Sequence, residues 1–335
     1  MSDAAEHAAG SSRVIVVAGP TASGKSALAA ALAEHHGGIV VNADSRQVYR
    51  ELGVGVAKPT PRERARAVHL LVGYVGIAEP YSAGMWSRHA RRGLAVAFGE
   101  DARPAGKTAT PGAERALSAQ LARVPRVDVA VISGGSGLHV RSLLEGLPEM
   151  PTVSPEVRAH YERVFAEAGL PALQGELARR DPVYWDEVDR ANPHRLMRAL
   201  SVIEASGGTP FSALRARPRR PLPYVVEWVV LDPPRDELYA RIERRVDGML
   251  AAGLEEEARP LYPQRHLDAL QTIGYREWWP YIEGEYDRAR AVELIKQATR
   301  NYARRQTTWN RKLPGRRFAR AEEALVALTR KPAAP

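Results

Sequence analysis

Residues 14–26, VIVVAGPTASGKS, constrain this 335-residue chain more than any other stretch. Val14, Ile15, Val16 and Val17 make a short apolar, partly β-branched run, which reads as a buried parallel strand. Gly19, Pro20, Thr21, Ala22, Ser23, Gly24, Lys25 and Ser26 then fill every fixed position of G-x-x-x-x-G-K-[ST]. A strand that feeds such a loop, followed by the alanine-rich run 27–36, predicts an α/β fold. In that fold, inward-turned backbone N–H groups and the positive end of a helix face an anion. Lys25 adds a mobile charge, and the Ser26 hydroxyl is a candidate ligand for Mg²⁺. The loop does not say which phosphate compound it holds.

A second strand at 39–41 runs into Asn42, Asp44, Ser45, Arg46 and Gln47. Ligands of open α/β sheets gather beyond the carboxyl ends of the parallel strands, so Asp44 is expected beside the phosphate loop. A carboxylate there has three readings: a general base, favoured by the polar residues bunched around it, a Mg²⁺ contact, or a helix cap. A further strand at 127–132 ends in Ser133, Gly134, Gly135, Ser136 and Gly137. That glycine turn faces the same site but lacks the acid that nucleotide-hydrolysing loops usually carry there. Residues 224–231 read as the last strand of the sheet, and Asp232 before two prolines as its turn.

From 150 to 217 strand signals stop and helices take over at 155–168, 171–179 and from Pro193 to Ala205. The expected architecture is therefore α/β: a P-loop kinase-like parallel sheet flanked by helices, with an inserted small all-helical domain. The core would comprise 13–149 and 218–320, flanked by a disordered tail at 1–12 and a C-terminal tail at 321–335. Residues 99–112 read as a flexible insertion and 113–124 as a short helix.

A formal charge of +9 and a pI near 9.9 favour a polyanionic partner. Between Glu293 and Glu322 the chain carries no acid, and Lys296, Arg300 and Arg304 recur every fourth residue, a ridge suited to a phosphate backbone. Ile295, Ala298, Tyr302 and Trp309 fall on another, core-facing side. The absence of cysteine excludes disulfides and cysteine-ligated metals. No apolar run approaches the roughly 20 residues a bilayer needs, and the first twelve residues make a poor signal peptide, so a cytoplasmic protein without a membrane partner is expected.

Taken together, GPTASGKS, NADSRQVYR, GVAKP, SGGSGLH, NPHRLMRAL, RIERRVDGML with GLEEE, QTIGYRE and TRNYARRQTTW resemble the tRNA dimethylallyltransferase (isopentenyl-tRNA transferase) family, in family order over residues 14–311. The resemblance implies transfer of a dimethylallyl group from dimethylallyl diphosphate to N6 of the adenosine 3′ of the anticodon, with release of diphosphate. The loop would then grip the donor diphosphate with Mg²⁺ as cofactor. Asp44 would act as base on the amine and Arg245 would contact the diphosphate. Ser136 would stand where a threonine guards the reaction channel. The resemblance further implies tRNA anticodon stem-loop contacts from Asp44, Ser45, Arg46 and Gln47, from Arg158, and from His194, Arg195, Leu196, Met197 and Arg198. Gln271, Thr272, Ile273, Gly274, Tyr275 and Arg276 complete that set, with Arg300 and Arg304 from the ridge. The chain departs from the pattern at Ser136, at His139 where a tyrosine is usual, and in the longer stretch 99–126. A monomer is expected. The alternatives are an adenylate dimethylallyltransferase, an ATP-dependent P-loop small-molecule kinase and a non-catalytic RNA-binding protein.

Overall fold

The computed structural model describes residues 12–101 and 110–330. The chain divides into two compact units, one running to Leu144 and resuming at Leu222, the other spanning Glu145–Pro221.

In the first unit, six strands among the described residues form one all-parallel sheet in the order β3-β2-β4-β1-β5-β6. They are β1 (Arg13–Ala18), β2 (Ile39–Asn42), β3 (His69–Leu70), β4 (Val129–Ser133), β5 (Val225–Leu231) and β6 (Arg316–Phe318). β1 lies inside the sheet, with Val16 opposite both Ile132 of β4 and Trp228 of β5. Its side chains alternate: Val14 and Val16 enter one apolar core, Ile15 and Val17 the other. An unbroken apolar run is what a strand covered on both faces requires.

Helices cover those faces. In chain order they are α1 (Lys25–His35), α2 (Pro61–Arg66), α3 (Ala83–Ala97), α4 (Pro111–Leu121) and α5 (Gly137–Leu144). The second unit, taken by itself, contains α6 (Pro155–Arg180), α7 (Pro182–Glu187), α8 (Pro193–Ala205) and α9 (Phe211–Arg215). The first unit then resumes with α10 (Arg235–Ala251), α11 (Leu254–Ala258), α12 (Trp279–Ile282), α13 (Arg288–Asn310) and α14 (Ala321–Thr329).

The second unit is all helix, with its own core built on Tyr161, Leu173, Leu177, Leu196, Leu200 and Ile203. α6 breaks at Gly169, whose φ of 70° ends one run before Pro171 restarts the next. Asp181, 1% exposed, joins three elements: it caps α7 through Tyr184 N–H and accepts from both the amide and the hydroxyl of Ser212.

Two expectations change. The 225–231 strand is not the last, because β6 pairs beside it, Val229 opposite Arg316 and Leu231 opposite Phe318. β3 and β6 are too short to carry a periodicity signal. The segment read as a tail from 321 holds α14, whose Ala324, Leu325 and Leu328 pack into the same core as Leu28 and Leu32 of α1. Residues 1–11 of the expected N-terminal tail, 102–109 of the insertion and 331–335 lie outside the described residues.

Candidate active site

The phosphate loop takes the shape its glycines allow. Gly19 has φ of +154°, and a Cβ there would stand 2.9 Å from the Leu231 carbonyl and 2.8 Å from Ser23 Oγ, so no other residue fits without displacement. Thr21, Lys25 and Ser26 line a cleft of about 250 Å³ at the carboxyl ends of the strands. Pro20 and Ser23 shape the loop from behind: the Pro20 carbonyl accepts from Ser23 N–H and, at 2.5 Å, from Lys25 Nζ. Ser23 Oγ is buried and has no partner among the described residues. Burial and the nearby Arg245 push the Lys25 ammonium down to about 7, against the pull of Asp44. Arg245, from α10, lines the same cleft. Burial lowers its pKa, and Asp44 opposes that shift.

Asp44 lies two residues beyond β2 and lines the cleft. Its place is fixed by the residues around it: Asn42 Oδ1 accepts from Asp44 N–H at 3.2 Å, and Trp86, fully buried, donates its indole N–H to the Asn42 carbonyl. Asp44 Oδ1 accepts from the amides of Arg46 at 2.8 Å and Gln47 at 3.3 Å, an Asx turn, and no helix starts near Ser45 for it to cap. One oxygen is thus anchored and the other, Oδ2, has no hydrogen-bond partner among the described residues.

The glycine turn after β4 packs against this segment. A Cβ on Gly134 would fall 2.2 Å from the Ala43 carbonyl carbon, so the two backbones can meet only without one. Gly134 and Gly135 line the cleft, whereas Ser136 stands just outside its lining. Its hydroxyl is 2.6 Å from Nδ1 of His139. His139 is buried edge-on against Trp86, and that burial pushes its pKa down to about 4, so the imidazole is neutral at pH 7.

Among the cleft residues outside the expected contacts, two come from α13. Gln306 of α13, within RRQTTW, is 6% exposed; its Oε1 accepts from Thr21 N–H at 2.7 Å and its Nε2 donates to the Gly135 carbonyl at 3.0 Å. It ties the phosphate loop to the glycine turn. Tyr302, one turn earlier, also lines the cleft, and burial, then Asp44, pushes its pKa up to about 12. Both sit within the motif used for the resemblance. Read singly, though, a glutamine and a tyrosine in a basic helix carry no spacing that marks a phosphate site.

The expected tRNA contacts divide by exposure. Arg158, His194, Arg195, Arg198, Gln271, Arg276 and Arg304 are exposed. Leu196 is fully buried and Met197 packs against the same core, so within HRLMR the helical period turns the two apolar side chains inward. Gly274 and Tyr275 are buried too, while Thr272 and Ile273 are half-buried. Ser45 and Arg46 stand outside the cleft lining, Arg46 donating to the Asp268 carbonyl at 2.6 Å. Gln47 uses its amide internally, donating to the carbonyls of Val56 at 3.1 Å and Ala57 at 2.9 Å. The expected ridge is largely neutralised: Arg300 pairs with Glu243 and with Glu293 at 2.8 Å, and Lys296 with Asp247 at 2.7 Å. Arg304 has no ion-pair partner among the described residues.

Residues 12–71 match the family model described as isopentenyl transferase, and residues 47–104 and 113–313 match that described as IPP transferase. The chain is 43% identical over 307 residues to a tRNA dimethylallyltransferase of Anaeromyxobacter dehalogenans, covering 90% of this chain and 93% of the relative. It is 40% identical over 296 residues to one of Cytophaga hutchinsonii, covering 88% of each. The fold is similar to the crystal structure of the full-length tRNA isopentenylpyrophosphate transferase from Bacillus halodurans, with a TM-score of 0.60, 27% identity and coverage of 95% and 94% of the two chains. It is also similar, in fold alone, to a eukaryotic dimethylallyltransferase crystallised acting on tRNA. There the TM-score is 0.69 at 23% identity, with coverage of 89% and 70%.

Proposed function

The chain belongs to the tRNA dimethylallyltransferase family, and from that premise we propose that it transfers the dimethylallyl group of dimethylallyl diphosphate to N6 of the adenosine 3′ of the anticodon in tRNA. The observation that carries the proposal is the meeting of Lys25, Arg245 and Asp44 in one cleft, two cations for a departing anion beside a carboxylate with one oxygen unengaged. The allylic C–O bond breaks and its electron pair leaves on the diphosphate. The N6 lone pair forms the new C–N bond, and Asp44 takes the N6 proton. Loop amides, Lys25 and Arg245 stabilise the charge that develops on the leaving group. The target adenine must leave its stack to reach them.

Mg²⁺ fits the donor set as an ion carried by the diphosphate. Ser26 offers a hard hydroxyl oxygen in the cleft, and among the described residues no group of three or more His, Cys, Asp or Glu side chains is arranged to hold a metal by itself. Ser26 would hold the ion, which would supply Lewis-acid neutralisation of the diphosphate. β4 ends at Ser133 with no acid, which disfavours the kinase reading. No described helix is long and apolar enough to cross a membrane. A monomer acting in the cytoplasm completes the proposal.

Incubation with labelled dimethylallyl diphosphate and Mg²⁺, offering unmodified tRNA or AMP, tests it. Label on the adenosine beside the anticodon is expected; label on AMP would transfer the reading to adenylate modification, and no label on either would reject prenyl transfer.

A further inference from the structure

The loop 53–58, GVGVAK, is held with unusual thoroughness for a surface turn. Glu257 of α11 places one carboxylate across three successive amides: Oε2 accepts from Gly53 at 3.0 Å and Val54 at 2.8 Å, and Oε1 from Gly55 at 3.0 Å. Tyr275, fully buried, donates its hydroxyl to the same Oε1. Gln47 holds the loop's far side through the Val56 and Ala57 carbonyls. Ala57 is kept at φ of +46°, a left-handed conformation costly for a residue with a Cβ. Successive amides of this kind form a concavity for an anion, and here the protein fills it with its own carboxylate.

The residue delivered by that strained turn is Lys58. It lines the same cleft as Lys25, Asp44 and Arg245. Its Nζ donates to the Arg50 carbonyl at 3.0 Å, its backbone N–H to the Gly53 carbonyl, and no carboxylate pairs with it among the described residues. Burial, then Arg64, pushes its pKa down to about 8, although Glu257 and Glu51 pull the other way. A half-buried ammonium with no carboxylate partner among the described residues, in the cleft that the loop 19–26 lines, is suited to meet an anion.

We propose that Lys58 contacts a phosphate group of a bound substrate, and that Glu257 is its positioning residue, fixing the loop 53–58 so that Lys58 meets that phosphate. The inference rests on the proposed function for the identity of the substrates, since the phosphate can belong to the donor diphosphate or to the tRNA backbone. The chemistry at Nζ is the same for both.

The test uses the full chain with Lys58→Met, Lys58→Arg, Glu257→Gln and the Lys58→Met/Glu257→Gln double variant. Each is checked for an unchanged melting temperature, then assayed for donor KM, inhibition by inorganic diphosphate, and tRNA Kd across a salt series. If the phosphate is the donor's, Lys58→Met raises donor KM and the inhibition constant of inorganic diphosphate about tenfold, the worth of one charge-assisted hydrogen bond. The tRNA salt slope then stays unchanged. If it is the tRNA's, Kd weakens, the slope falls by about 0.7–0.9, and donor KM is unaltered. Lys58→Arg restores most of either loss. Glu257→Gln is expected to shift the same parameter, and the double variant to be no worse than Lys58→Met. Should Glu257→Gln fail to fold, Tyr275→Phe, which removes one donor to that carboxylate and no charge, is expected to shift that parameter two- to threefold.

A folded Lys58→Met protein with unchanged donor, diphosphate and tRNA parameters overturns the contact. Additive losses in the double variant, or no effect of Tyr275→Phe where it is needed, overturn the positioning role. Diphosphate and tRNA binding are read without turnover, so a Lys58 effect in a protein that makes no dimethylallyladenosine would sink the proposed function and leave this inference standing.

Discussion

Lys25 offers a prediction that can be worked through. With its ammonium pushed down to about 7 in the anion-free cleft, about one lysine in ten is protonated at pH 8. A bound diphosphate supplies the charge that burial and Arg245 work against, and returns the group toward its ordinary 10.5. Binding at pH 8 should therefore draw about 0.9 proton onto Lys25, and at pH 6, where most of the group is already charged, about 0.1. The assay is calorimetry of inorganic diphosphate with Mg²⁺ in buffers of different ionisation enthalpy. Lys25→Met, titrated to saturation in the same buffers, subtracts the protons that the diphosphate itself exchanges. Equal uptake by the two proteins at pH 8, or a difference that does not shrink toward pH 6, would refute the reasoning. The linkage has a stability counterpart. Between about pH 7 and 10.5 the anion-free fold binds fewer protons than the unfolded chain, so this group adds stability as pH rises through that window, and bound diphosphate should flatten the slope.

Three further outcomes are expected. Asp44→Asn keeps the acceptor that Arg46 and Gln47 amides use but removes the base, so transfer should fall by about 10²–10⁴ with tRNA affinity within a few-fold, measured by single-turnover labelling and filter binding. Gln306→Leu leaves Thr21 N–H and the Gly135 carbonyl without their partner, so urea unfolding should show a loss of about 2–4 kcal/mol, accompanied by a raised donor KM. Arg304→Ala should reduce the salt slope of tRNA binding by about 0.7–0.9, whereas Arg300→Ala, already paired with Glu243 and Glu293, should change it much less; equal slopes would show that intramolecular pairing does not decide which cations meet RNA.

What could be read from the chain was what local pattern determines. The valines of β1 with GPTASGKS implied the strand, turn and helix, and the helix starts read at residues 155 and 193 are those that the structure shows, capped by Ser154 and Asn192. Asp44 could be placed beside the loop because strand ends in a parallel sheet converge. Partnerships between distant segments were not legible. Nothing near Gln306 announces Thr21, 285 residues away, and nothing in GLEEE announces the amides of residues 53–55. The basic ridge misled for the same reason: the acids that neutralise Lys296 and Arg300 lie mostly on α10, outside any window drawn around α13. HRLMR and QTIGYR read as uniform contact stretches until burial separated Leu196, Gly274 and Tyr275 from their exposed neighbours.

The bond between Gln306 and Thr21 also bears on when the protein acquires its grip on phosphate. The GPTASGKS motif ends at Ser26, but the side chain that ties it to the glycine turn is made 280 residues later, and α14, packed against α1, later still. A nascent chain with every residue of the motif in place thus still lacks the parts that hold it. A chain broken off before residue 306 would carry a recognisable phosphate loop without its far anchor.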